Sequence, residues 1–195
     1  MGVQSNASAG NSIAIGALSE AANLNASAIG VGAKALGEQS AATGYYSFAT
    51  GNKAVAIGAQ ANAYANNSVA VGAQANAIGV NSLALGYRGD ATGDRSIAIG
   101  VLAGESGEFA TAMGRSAKAS GQLAIAVGDA ANAAGIAAMA IGKGAVAEKD
   151  NGIAQGNGAV AKEVDSLAVG TSANAAGVAA MAIGKGAVAE KDNGI

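Results

Sequence analysis

The sequence predicts an all-β repeat fold, a parallel β-roll (β-solenoid) that advances fourteen residues per coil. Three observations carry this. Glycine returns at every fourteenth position from Gly2 to Gly184 without a miss. The residues that lead into it alternate between aliphatic and alanine, as in SIAIG (12–16), SVAVG (68–72) and SIAIG again (96–100). The composition is half apolar, with 31 glycines, no proline and few aromatics. Helical hairpin repeats need about 33 residues or more, and glycine at this density would cost a helix roughly 1 kcal/mol at each interior position. Glycine does not recur every third residue, so a collagen helix is excluded.

Within each coil the first strand is the segment before the in-phase glycine. Two residues before that glycine stands Ala14, then Ala28, Ala42, Ala56, Ala70, Ala84, Ala98, Ala112, Ala126, Ala140, Ala154, Ala168 and Ala182. Four residues before, the residue is always Ser, Ala or Gly. The positions three before and one before are Ile, Val, Leu or Met, with Ser27, Ala41, Thr43, Thr111 and Gln155 as exceptions. Such alternation is the period of two that a strand requires. The in-phase glycine suits a turn that needs positive φ. A second strand follows three to seven residues later, as in AQANA (59–63), where Ala61 and Ala63 point one way and Asn62 the other. A second glycine seven residues on (Gly37, Gly51, Gly79, Gly93, Gly107, Gly121, Gly135, Gly177) closes the coil. Fourteen such coils at about 4.8 Å each predict a rod of roughly 65 Å.

A single roll of this kind leaves an apolar stripe uncovered. With the aliphatic side chains inside, the alanine column forms a flat outer face. With alanine inside, two aliphatic columns run along the exterior. Either face exceeds what a soluble monomer exposes, so self-association is expected. The reading favoured on sequence puts the aliphatic residues inside and the invariant alanines where identical chains meet.

Charge and residue types restrict the function classes. Eleven basic and thirteen acidic residues leave a net charge of -2, with no basic footprint for nucleic acid. Histidine and cysteine are absent, which removes His-based triads and thiol nucleophiles. The chain is therefore read as a non-enzyme that needs no cofactor. GVGAKALG (30–37) and GKGAVAEK (142–149) lack the phosphate-loop pattern and lie in phase with the other turns. The carboxylates Asp90, Asp94, Glu105 and Glu108 fall on neighbouring coils without an oxygen-ligand loop motif, and are read as solvated turn charges. The threonines do not form the continuous rank that an ice-binding face would need.

One irregularity interrupts the monotony. All six aromatics lie between residues 45 and 109, three of them in GYYSF (44–48). Tyr45, Tyr46, Phe48, Tyr64, Tyr87 and Arg88 make a candidate ligand patch, because exposed Tyr and Arg are typical recognition residues. Elsewhere the repeat only lengthens: residues 131–153 return as 173–195 with a single change, Ile136 to Val178.

The pattern SxAIGxxAxAxGxxS at a fourteen-residue period resembles the head repeat of YadA-like trimeric autotransporter adhesins, and the resemblance covers essentially the whole chain. It implies a left-handed roll and three identical chains around a threefold axis. It also implies display on the bacterial outer surface, anchored in the outer membrane through other parts of the protein, with host matrix proteins or cell-surface receptors as partners. The stretch 1–195 is accordingly expected to be one repeat domain cut from a longer chain. Its expected function is a surface adhesin head that also supports autoagglutination. The competing expectation is a passive spacer rod.

Overall fold

A computed structural model of the chain describes residues 2–195. Its described residues form 27 strands of two or three residues and no helix. The chain makes two compact units, one ending at Ile99 and the other spanning Gly100–Ile195. In the first unit, three-residue strands from Ile13–Ile15 to Ile97–Ile99 stack into one parallel sheet, and two-residue strands from Asn6–Ala7 to Asp90–Ala91 stack into another. The second unit repeats the plan, with strands from Thr111–Met113 to Met181–Ile183 and from Gly104–Glu105 to Val188–Ala189. Every pairing is to the strand fourteen residues on, so like meets like: Val69 opposes Leu83, Ala70 opposes Ala84 and Val71 opposes Leu85.

Two turns close each coil, and both have a residue of positive φ in third place, as a type II turn requires. In the first, the amide of Ser19 donates to the carbonyl of Gly16 at 3.3 Å and Leu18 lies at φ 58°. In the second, the amide of Ala26 donates to the carbonyl of Asn23 at 3.1 Å and Asn25 lies at φ 57°. The in-phase glycine opens the first turn for two separate reasons. Gly58 has φ 131°, which L side chains rarely adopt, and a Cβ there would lie 2.5 Å from the carbonyl oxygen of Gly72. The glycine seven residues on acts differently, because its φ is not in the positive range. It provides room: a Cβ on Gly79 would lie 1.9 Å from the carbonyl oxygen of Gly93.

The interior corrects the favoured sequence reading. Alanine fills the roll, and the aliphatic residues stand outside. Ala56, Ala70, Ala84, Ala126, Ala140 and the other members of the column two before glycine are buried, together with Ala61, Ala63, Ala75 and Ala77 from the facing sheet. Ile57, by contrast, is 43% exposed and Ile15 is 47% exposed. The reason is geometric. Among the described side chains both sheets turn only Ala, Ser or Gly inward, so the gap between them admits side chains of one or two heavy atoms and no Ile or Val. Period-two alternation then sends both neighbours of each inward alanine out. Several serines inside the roll are satisfied locally, the hydroxyls of Ser40 and Ser68 donating to the carbonyls of Gly37 and Ala65, each at 2.6 Å, whereas the buried hydroxyl of Ser82 has no partner. A buried hydroxyl without such a partner would cost roughly 1–3 kcal/mol.

Candidate functional site

Four exterior surfaces follow from the coil: the outer faces of the two sheets and the two turn edges. The face of the three-residue strands is aliphatic in both units. Val55, Val69 and Leu83 form one rank of the first unit and Ile57, Val71 and Leu85 the other, with strand pairing holding each rank in line. Ile125 and Met139, with Val127 and Ile141, continue the pattern in the second unit. Polar residues interrupt both ranks, Ser27 and Thr111 the first and Thr43 and Gln155 the second. Thr43 stands between Ile29 and Ile57, and Gln155 stands between Ile141 and Val169. Both are exposed.

The candidate aromatic patch is divided by the structure. Tyr45 and Tyr46 project from one first-turn edge, with their rings 4.6 Å apart at 78°, an edge-to-face pair. The ring of Tyr46 lies back over the preceding coil, where a Cβ on Gly32 would come within 2.8 Å of it. It walls a shallow depression with Leu18, Glu20, Gly32 and Lys34, in which the Lys34 ammonium and Glu20 carboxylate pair at 3.2 Å. Phe48 is half-buried on the outer face of the two-residue strands, aligned with Lys34 and Asn62. Tyr87 lies on the same turn edge as Tyr45 but three coils away, about 14 Å by strand spacing. The guanidinium carbon of Arg88 sits 5.5 Å from the centre of its ring. Tyr64 is exposed at the far end of a two-residue strand, leading into the second turn. The structure thus joins Tyr45 to Tyr46 and Tyr87 to Arg88, and separates the two pairs from each other and from Tyr64.

Between the two aromatic pairs runs a polar ladder that motif reading missed. The Arg88 Nε donates to Gln74 Oε1 at 2.7 Å, and the Gln74 Nε2 donates to Gln60 Oε1 at 3.0 Å. A second ladder lies on the other turn edge. Asn66 Oδ1 accepts the Asn52 amide at 2.9 Å, Asn52 Oδ1 accepts the Glu38 amide at 3.0 Å, and Asp94 Oδ1 accepts the Val80 amide at 2.8 Å. Asp150 and Asp192 do the same for Ile136 and Val178. The signal was present as Asn52, Asn66, Asp94, Asp150 and Asp192, spaced by multiples of fourteen and each one residue into the second turn. The first of these edges also carries an ion pair in the second unit, where the Arg115 guanidinium donates to Asp129 at 2.7 Å. That hydrogen bond, and then the charge of Asp129, raise the pKa of Arg115.

Of the acidic residues singled out by sequence, Asp90, Asp94 and Glu108 are engaged in such contacts. Asp90 accepts from the Asn76 amide group at 3.1 Å and Glu108 from the Gln122 amide group at 3.2 Å. The side chain of Glu105 lies outside the described residues. Among the described residues no group of three or more carboxylates is placed to hold a metal ion, and no helix is long and apolar enough to cross a membrane.

A parallel β-solenoid with an alanine interior and one uncovered aliphatic face defines a class of stacked-repeat module. The sequence matches the profile described as YadA head domain repeat (2 copies) in successive segments from residues 1–19 through 77–103 to 175–195. The chain belongs to the YadA head repeat family. Such heads form homotrimers within outer-membrane-anchored surface adhesins. A comparison with curated proteins returns no match.

Proposed function

We propose that this chain is the head of a bacterial surface adhesin, assembled as a homotrimer along its aliphatic face and without enzymatic activity. The observation that carries the reading is the double rank of outward Ile, Val, Leu and Met in a roll whose own interior is already filled by alanine. Those ranks stay partly exposed on a single chain, and association with like chains covers them. The face then becomes the interior of the trimer, and the turn edges and the outer face of the two-residue strands remain for contact. Each weak site occurs three times around the axis, so avidity compensates for modest single-site affinity. Host matrix proteins, cell-surface receptors and like heads on other cells are the partners such a surface serves.

The spacer reading is favoured by one observation of its own, the near copy of residues 131–153 at 173–195, which extends the stack without adding a new side-chain pattern. A binding panel separates the two. The chain, fused to a trimerising coiled coil, is presented to collagen, fibronectin, laminin and itself. Saturable binding to a matrix protein supports the adhesin. Binding only to itself assigns the head to autoagglutination, and no binding at all assigns it to spacing.

A further inference from the structure

We propose that Gln155 fixes the axial register of the homotrimer, an inference that rests on the reading above that three copies meet along the aliphatic face. A wall of repeated Ile, Val, Leu and Met favours association but says little about the height at which copies align. The ambiguity is greatest in the second unit. Sliding one copy past another by forty-two residues brings Met139 and Ile141 to the level of the identical Met181 and Ile183, and Val127 to that of Val169. Gln155 betrays the slip, because it comes to the level of Met113.

Gln155 ends the strand Ile153–Gln155, exposed on the outward face between Ile141 and Val169. Its carboxamide is both donor and acceptor. With three copies in register, three carboxamides meet at one level and can each donate to the next. One coil or three coils out of register, each faces an aliphatic side chain and loses water without gaining a partner. A lone polar residue in a coiled-coil seam sets register by the same asymmetry. In register the assembly closes on itself, whereas staggered copies leave uncovered face on which further chains can add. Thr43 interrupts the equivalent rank of the first unit, with a methyl group that makes it the weaker discriminator.

The chain has no cysteine, so Ser172→Cys on an exposed first turn gives one nitroxide site per copy. The full chain carrying this label is compared with and without Gln155→Val, using light scattering for mass and double electron–electron resonance for interchain distance. The expected parent is a trimer with a single interchain distance. Gln155→Val is expected to remain a trimer or larger while gaining distances from axial slips of one or three coils, about 5 and 14 Å by strand spacing. Moving the amide by one coil, with Gln155→Val and Val169→Gln together, should restore a single distance. A trimeric Gln155→Val that keeps the parental distance alone overturns the register role and leaves the trimer standing. A monomeric Gln155→Val from a trimeric parent also overturns it, by making Gln155 a residue of affinity. A monomeric parent overturns the trimer reading and the register role with it.

Discussion

The unit ending at Ile99 and the unit beginning at Gly100 share an interior and differ in exterior. Both turn alanine inward from two parallel sheets and aliphatic residues outward from one of them. Along the first-turn edge they diverge at the third turn residue. In the first unit that position holds Gln4, Leu18, Gly32, Tyr46, Gln60, Gln74 and Arg88; in the second it holds Ser116, Ala130, Gly144, Gly158, Ser172 and Gly186 after Leu102. The backbone is the same in both, since Tyr46, Arg88, Ser116 and Ala130 all lie near φ 47–55°. Coil geometry is thus set by the interior and the ladder hydrogen bonds, and the turn side chains vary without disturbing it. Large and polar turn side chains concentrate in the first unit, and small ones in the second.

The largest expected effect should erase that difference. Ala84→Glu in the first unit and Ala140→Glu in the second each place a carboxylate in a sealed roll with no partner, at a cost of several kcal/mol. Each should abolish or sharply lower the thermal transition seen by circular dichroism, and by similar amounts. A variant that melts like the parent would mean that its alanine faces outward. Next in size is the aliphatic face. Ile57→Glu and Ile141→Glu should leave the strand spectrum intact while converting trimer to monomer in light scattering, because three carboxylates would be gathered on one apolar surface at roughly 3 kcal/mol or more. An unchanged mass for both would move the interface elsewhere.

The third effect should separate the units. Replacing Tyr46 and Phe48 with Ala should weaken binding of soluble ligand by well over tenfold, at about 2 kcal/mol for each hot-spot aromatic. Ser116→Ala and Ser172→Ala should leave it unchanged. Equal affinity in the double aromatic variant and both serine variants would return the aromatics to the status of tolerated turn residues. The smallest effect tests the second-turn ladder. Asn66→Ala and Asp150→Ala each remove one acceptor from a neighbouring coil's amide and should cost about 1 kcal/mol, read as a lower urea midpoint.

The coil length, both strands and the inward face of the second strand were legible in the residues, because fourteen-residue recurrence and period-two alternation are statements about geometry. The direction of Ala70 and its column was not. Alanine suits a narrow interior and a close interface between chains equally well, and the burial of Ala70 inside one roll resolves it. The decisive hint was indirect. Ser68 and Ala70 lie on one side of their strand, Ala75 and Ala77 on one side of the next, and all four are small. The left-handed turn residues were illegible for another reason. Lys53, Arg88 and Leu123 adopt φ of 58°, 54° and 60°, conformations their own propensities disfavour. There the stacking of coils overrides local preference. The aromatic patch was legible as composition but not as geometry, since sharing a stretch of sequence does not place Tyr64 on the same edge as Tyr46.

The strict pairing of each strand with the one fourteen residues on bears on how the protein behaves under load. A coil held only by its two neighbours can be peeled away while the rest of the stack stays folded. Each coil that lets go replaces about 4.8 Å of stack with about 50 Å of extended chain. A head pulled between a surface and its ligand would therefore lengthen in discrete, reversible steps from an end of the stack. Such a tether absorbs a sudden tug by paying out chain, and the contact that holds it experiences less force than a rigid strut would transmit.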